Sequence, residues 1–336
     1  MKSYFYDDPS TATLPTQYEL LEKIAVGAMG SIYRALDKRS NQTVAIKTLK
    51  EGIDVTEDTI LRIRKEAHYL SRLEHPNIVR FIDFIEQNNS LFIITEYIQG
   101  QSLRHMIEKE LPSLRRRIEI IRDIALALDF VHSENIIHRD IKPGNIMQNT
   151  DNQIKILDFG LANLINYKKI FLKNEIVGSL AYMSPEQTGI LKKMIDNRSD
   201  LYSLGILFYE MMTGTLPFKA SEAGEMMHMH IARIPEDPIC INPQIPPMIS
   251  QIILKLIKKD PDDRYQSAFG LAADLGTFLA LNETAQNPRS FALGKKDRLR
   301  QLHFHSPLIG REKEKVRLTA CFEKSLKGEG NALFLI

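Results

Sequence analysis

The sequence is short of several things, and each shortage excludes a class of protein. Of its 336 residues only Cys240 and Cys321 are cysteines. They are far apart and lack metal-ligand spacing, so no disulfide framework is expected and a reducing compartment fits better. Net charge is only +2, so no overall field calls for nucleic acid or an anionic membrane. No apolar run approaches the roughly 20 residues of a membrane-spanning helix. The start, Met1-Lys2-Ser3-Tyr4 and then Asp7-Asp8-Pro9, has no apolar segment of the secretory kind. There is no internal repeat and no low-complexity tract. These absences predict a soluble, cytoplasmic chain with no nucleic-acid partner and no membrane span. What remains is ordinary globular material, 43% hydrophobic and 26% charged. That is enough for large cores, and the length suits a two-lobed domain or one domain plus extra.

Residues 1–16 are polar, contain Pro9 and Pro15, and read as a flexible arm. Strand-like runs follow at 18–24, 31–35 and 44–49, with Gly27 and Gly30 between the first two and Ser40-Asn41 between the next two. Such runs separated by turn residues predict an antiparallel meander. Residues 56–73 carry a helical pattern, with Ile63, Ala67 and Leu70 on one face and Glu66 on that same face. Two more strands are predicted at 78–86 and 91–96. After Gly100 the texture turns helical. Leu114, Ile118, Ile121, Ala125 and Leu128 keep a 3.6-residue period. The stretch 201–212 is apolar nearly all round, which predicts a helix buried inside a lobe. Further helices are predicted at 221–231, 249–257 and 267–281. The fold class is therefore α+β: a small antiparallel β lobe with one helix over 17–99, then a large, mainly helical lobe over 100–281.

Chemistry gathers at four places. Gly27-Ala28-Met29-Gly30 sits in the first strand–turn–strand. Glycines let backbone N–H groups approach phosphate, although a plain hairpin turn reads the same way. Val44-Ala45-Ile46-Lys47 ends a strand on a lysine. Such a lysine ordinarily just reaches solvent, but Glu66 stands on an apolar helix face, where a carboxylate is costly unless paired. Lys47 is its candidate partner. His138-Arg139-Asp140-Ile141-Lys142-Pro143-Gly144-Asn145 follows the amphipathic helix, and Asp158-Phe159-Gly160 follows the apolar strand 154–157. The glycine turn and Asp158-Phe159-Gly160 are each weak alone, the four fixed types from His138 to Asn145 are rare by chance, and the order and spacing of all of them make the case.

Over residues 18–280 these motifs resemble the eukaryotic-type protein kinase domain of bacterial Ser/Thr kinases. The resemblance implies a two-lobed kinase fold that transfers the ATP γ-phosphate to Ser/Thr hydroxyls of protein substrates in signalling. It implies that Asp140 takes or orients the acceptor proton, and that Lys142 neutralises charge near the transferring group and favours the Ser/Thr class. Asn145 and Asp158 then hold Mg²⁺, and Lys47 pairs with Glu66 and faces the ATP phosphates. Gly27 and Gly30 close over those phosphates. Ile24, Ile32 and Ala45 line the nucleotide site, with Thr95 as gatekeeper and Glu96 to Ile98 as the adenine-binding hinge. Three further resemblances imply structural roles. Ser184-Pro185-Glu186 is similar to the Ala-Pro-Glu motif, Arg264 to the late arginine that pairs with it, and Asp200 to the aspartate that braces the catalytic loop.

The chain also departs from the family pattern. Ala25 replaces the first loop glycine, Ser184 an alanine and Ser179 a threonine. Between Gly160 and Gly178 the only hydroxyl is Tyr167, so activation by Ser/Thr autophosphorylation there is not expected, with Lys168, Lys169, Glu175 or a partner supplying order instead. Met226-Met227-His228-Met229-His230 suggests copper, but core plus surface is the stronger reading. Arg115-Arg116-Arg117 reads as a solvated helix face, and His303 and His305 as linker residues. Residues 282–306 read as a linker. Residues 307–336, opening on Gly310-Arg311-Glu312, resemble the start of an AAA-like ATPase module, read as a truncated second module that follows covalently, with a kinase C-terminal helix and hairpin as the alternative. A nucleotide-binding pseudokinase head is the alternative function. It requires loss of Lys47, Asp140, Asn145 or Asp158, and all four are present.

Overall fold

A computed structural model gives the architecture of residues 14–27, 30–49, 71, 73–87, 90–158, 180–191, 193–284 and 290–297. The first lobe is a five-stranded antiparallel sheet in the order β1-β2-β3-β5-β4, from β1 (Tyr18–Gly27), β2 (Gly30–Asp37), β3 (Gln42–Leu49), β4 (Phe81–Gln87) and β5 (Ser90–Glu96). The β2–β3 turn is made by its own side chains. Asp37 accepts from Arg39 N at 3.0 Å and Ser40 Oγ at 2.8 Å, and Asn41 takes the left-handed conformation at φ 56°. Strand alternation sends Ala35, Val44, Ile46, Phe92 and Ile94 into a core of this lobe. The helix expected at 56–73 lies outside the described residues apart from Ser71 and Leu73, and so do most of the N-terminal arm and all of 301–336.

The run expected as a strand from 78 enters the sheet only at Phe81. Ile78 instead makes a parallel bridge to Ile156 of a second sheet. That sheet has the order β6-β7-β8, from β6 (Gly100–Ser102), β7 (Ile146–Asn149) and β8 (Ile154–Ile156). Helix α1 (Leu103–Lys109) follows β6, capped by Ser102. Helix α2 (Leu114–Ser133) is capped by Ser113 and buries Ile118, Ile121, Ala125 and Leu128, the periodic positions of the sequence.

Helix α3 (Asn197–Thr213) is the axis of the lobe and is buried from Ser199 to Met212. Gly205 permits this, because a Cβ there would lie 2.6 Å from Leu256 Cβ and 2.7 Å from Ile257 Cγ2. Against it pack α2, α5 (Pro238–Ile241) and α6 (Pro247–Leu256), with α4 (Ala223–Ala232) joined to it through Tyr202 and His230, while α7 (Ala268–Thr284) packs on α2. In α4, Met226, Met229 and His230 are buried while His228 is exposed. That is core plus surface, and among the described residues no three His, Cys, Asp or Glu side chains gather to hold a metal. The arginine run is not a solvated face throughout. Arg117 donates to Pro112 O at 2.6 Å and Met211 O at 3.2 Å, tying α2 to the end of α3. No helix of the described residues is long and apolar enough to cross a membrane. Within the stretch read as a linker, residues 290–297 are folded onto the helical lobe, with Phe291 and Leu293 against its core.

Candidate active site

The loop between α2 and β7 carries His138 to Asn145, and its shape is imposed from below. Asp200, fully buried in the first turn of α3, accepts from His138 N at 2.8 Å, Arg139 N at 2.7 Å and His132 Nε2 at 2.8 Å. Burial works to raise its carboxyl. The hydrogen bond and charge of His132, with His138 and the Arg139 N–H, outweigh that and hold it below the usual carboxylate range. The bracing role expected of Asp200 is therefore visible as bonds. Arg139 sits at φ 64°, a left-handed conformation costing about 1–2 kcal/mol for a non-glycine residue. Asp200 fixes its N–H, and Gln187 Nε2 donates to its carbonyl at 2.8 Å. His138 Nδ1 accepts from Asp140 N at 3.2 Å, which assigns the ring proton to Nε2, 2.9 Å from Leu157 O.

On this frame the polar groups converge. Asp140 Oδ2 accepts from Lys142 Nζ at 2.8 Å and from Asn145 Nδ2 at 2.8 Å. Asn145 Nδ2 also donates to Asp140 O at 2.9 Å, so Oδ1 is the acceptor that the side chain has left to offer. The Asn145 carbonyl accepts Leu157 N at 2.8 Å, so the loop is tied to the strand leading into Asp158. Asp158, at φ 54°, is the second strained residue. Its Oδ2 lies 2.8 Å from Lys47 Nζ, reaching across from β3.

Register explains how Lys47 reaches it. Ile32, Lys47 and Ile93 form one row across β2, β3 and β5, and Arg34, Ala45 and Thr95 the next row but one. Directly paired residues share a face, so Ile32, Ala45, Lys47 and Thr95 lie together on one side of the sheet. Ala25 pairs with Ile32 there, Ile24 is the extra residue of a bulge and is exposed, and Gly27 pairs directly with Gly30. Ile98 is buried. Glu66 and the segment holding Tyr167 and Ser179 lie outside the described residues.

Several groups that hold the site were not singled out in the sequence. Lys155 Nζ donates to Glu96 Oε1 at 2.8 Å and to Ile78 O at 3.2 Å. Asn77 Nδ2 donates to Ile154 O at 2.9 Å, and Ile156 N to Asn77 O at 2.8 Å. Together they join the two sheets beside Asp158. Arg104, Tyr182 and Glu210 form a mutually hydrogen-bonded cluster linking α1, the segment before Ser184 and α3. Only the half-polar character of these residues marked them, and that is shared with any surface. Ser184-Pro185-Glu186 is anchored as expected. Arg264 Nη1 and Nη2 lie 2.8 and 2.9 Å from the two oxygens of Glu186, a fully buried bidentate pair.

The donors fit magnesium and a triphosphate. Carboxamide and carboxylate oxygens are the hard ligands that share Mg²⁺ with phosphates, and an ammonium and glycine backbone suit the phosphates themselves.

Known proteins with this arrangement are numerous. Residues 18–273 match the family model described as Protein kinase domain. A probable serine/threonine-protein kinase of Clostridium perfringens is 37% identical over 263 residues, covering 78% of this chain and 38% of that protein. Serine/threonine-protein kinase PknB of Mycolicibacterium smegmatis is 36% identical, covering 78% and 43%. PrkC of Bacillus subtilis is 34% identical, covering 84% and 43%. The chain thus spans about two fifths of the length of these relatives. The solved kinase domain of PknI from Mycobacterium tuberculosis superposes with a TM-score of 0.63 at 21% identity, over 78% of this chain and 95% of that one, a likeness of fold.

Proposed function

The chain belongs to the protein kinase domain family, and from that premise we propose that it transfers the γ-phosphoryl group of ATP to serine and threonine hydroxyls of protein substrates. The observation that carries the reading is Asp140, held on Oδ2 by both Lys142 and Asn145, with the Lys47–Asp158 pair brought across from the sheet. With Oδ2 occupied by two donors, Asp140 keeps Oδ1 to orient the acceptor hydroxyl and take its proton. Lys142, on the same carboxylate, supplies positive charge where the transferring group passes. Lys47 faces the ATP phosphates, with Glu66 as its helix partner. Ile24, Ile32 and Ala45 cover the adenine, Thr95 is the gatekeeper, and the main chain of Glu96 to Ile98 bonds the base. The backbone at Gly27 and Gly30 covers the phosphates. Oδ1 of Asn145 and the Asp158 carboxylate would hold Mg²⁺, which would supply charge neutralisation for the phosphate oxygens. Positioning and charge neutralisation are most of what phosphoryl transfer requires.

A protein substrate, rather than a small molecule, is supported by the buried Glu186–Arg264 anchor under Ser184 and Pro185, which shapes a platform for a peptide. The absence of Ser or Thr between Gly160 and Gly178 supports an activation route that needs no Ser/Thr phosphate there. Gly310-Arg311-Glu312 supports an AAA-like module beginning near residue 307. A cytoplasmic signalling role accords with the scarce cysteines and the absence of an apolar segment.

The test is transfer of labelled phosphate from ATP·Mg to a generic protein acceptor. Asp140→Asn and Lys47→Met are each expected to lower the rate by about 10²–10⁴-fold while leaving the melting temperature near that of the wild type. Wild-type transfer no greater than that of either variant, on serine-, threonine- and tyrosine-containing acceptors alike, sinks the reading.

A further inference from the structure

Residues 290–297 lie beyond the last position matched by the family model, residue 273, yet they are seated with care. Phe291 and Leu293 pack on the core of the helical lobe. Gly294 N donates at 2.7 Å to Asp274 Oδ2, the oxygen that also accepts the Tyr265 hydroxyl at 2.7 Å. Asp297 does more. Its carboxylate accepts from Gln266 N at 2.8 Å, Ser267 N at 2.9 Å and Ser267 Oγ at 2.8 Å. Ser267 is itself the local cap of α7, its Oγ accepting from Gly270 N at 3.1 Å, so Asp297 holds in place the residue that opens the helix. The helix leaves room for it: a Cβ on Gly270 would lie 2.6 Å from Asp297 Cβ.

What Asp297 grips leads to the substrate platform in two steps. The Gln266 carbonyl accepts from Asn197 Nδ2 at 3.0 Å, and its Oε1 from Arg198 Nη1 at 3.0 Å. Its Nε2 donates to the carbonyls of Pro261, Asp262 and Arg264 at 3.1, 3.1 and 2.9 Å. Gln266 thereby shapes the turn that presents Arg264, and Arg264 makes the two bonds to Glu186. One residue and one buried ion pair stand between Asp297 and the Ser-Pro-Glu segment.

We propose that Asp297 is a positioning residue for the peptide platform: by fixing the main chain of Gln266 and Ser267 it sets Arg264 against Glu186. The inference rests on the kinase reading for its kinetic consequence but not for its structural one. Three variants of the 336-residue chain separate the two: Asp297→Ala, Gly270→Ala, which crowds Asp297 out of its seat, and Asp297→Asn, which keeps an acceptor for Ser267 and loses the carboxylate at Gln266. Amide exchange followed by mass spectrometry is expected to quicken about tenfold over residues 180–191 in the first two variants and less in the third. That readout needs no catalysis. In kinetics, peptide KM is expected to rise at least about fivefold while ATP KM stays within about twofold. Exchange over 180–191 unchanged while the variants melt at lower temperature would make residues 290–297 a plain brace and overturn the proposal. Should exchange quicken in a chain whose wild type transfers no phosphate, the positioning stands and the kinase reading falls.

Discussion

Glu186 has side-chain oxygens that touch only protein. Burial works to raise its carboxyl, and the hydrogen bonds and charge of Arg264, with the Ser199 hydroxyl at 2.7 Å, reverse that and hold it below the ordinary range. The pair is 0% and 1% exposed, so neither partner has water to fall back on. Breaking such a pair from one side costs about 3–5 kcal/mol, because the remaining charge is stranded. Arg264→Met is therefore expected to lower the unfolding free energy extrapolated from urea titration by an amount in that range. Arg264→Met with Glu186→Gln removes the stranded charge and should recover at least about 1 kcal/mol. The recovery is partial because Arg264 also donates to the carbonyls of Lys258, Arg198 and Lys259 at 2.8, 3.1 and 3.0 Å. A double variant no more stable than Arg264→Met would show that the charge of Glu186 is not what matters there.

Among the elements, α4 offers a cleaner handle through pH. His230, wholly buried, has Nδ1 3.0 Å from the Tyr202 hydroxyl. Burial, with the charge of Lys259 adding to it, pushes the imidazole down to about 4 from its ordinary 6.5, and the backbone of Leu180 and Ala181 offsets only part of this. Between these two values the unfolded chain binds a proton that the folded chain refuses, so stability falls as pH drops from about 6.5 to about 4. The term amounts to roughly 3 kcal/mol and should be missing from His230→Gln. Urea midpoints for the two chains should therefore converge across that window; parallel curves would refute the assignment. Most of the element pattern was legible beforehand. The periodic stripe of α2 and the all-round apolar α3 announce themselves because period and burial are local properties. β6, with the sequence Gly-Gln-Ser, does not, because three polar residues become a strand only when β7 lies beside them. The loop from His138 to Asn145 was legible by spacing. The seat of Asp297 was not, since it joins residues 30 and 31 apart that share no period.

At the scale of the molecule, the two sheets need a joint, and the joint lies beside the proposed nucleotide site. Segment 77–79 zips onto Ile156, with Ile156 N to Asn77 O at 2.8 Å and Val79 N to Ile156 O at 2.9 Å. Two residues further along stands Asp158, paired with Lys47 of the first sheet. Lys155 closes the same joint through Glu96, whose Oε1 also accepts Arg80 N at 2.8 Å. On alternation alone Lys155 reads as a surface lysine of a short strand, yet its side chain is 14% exposed. It holds in place the first residue of the proposed hinge. Removing it leaves the Glu96 carboxylate short of a charged donor in a half-buried position, a loss of about 1–3 kcal/mol. Because Glu96 and Asp158 flank opposite ends of the nucleotide in the proposed reading, the loss should appear in nucleotide affinity as well as in stability. Lys155→Met is expected to weaken ADP·Mg binding by about 3–10-fold in calorimetry. Lys155→Arg, which keeps a donor for Glu96, should restore most of it. If Lys155→Met melts earlier but binds ADP·Mg as tightly as the wild type, the joint holds the lobes together without setting the hinge.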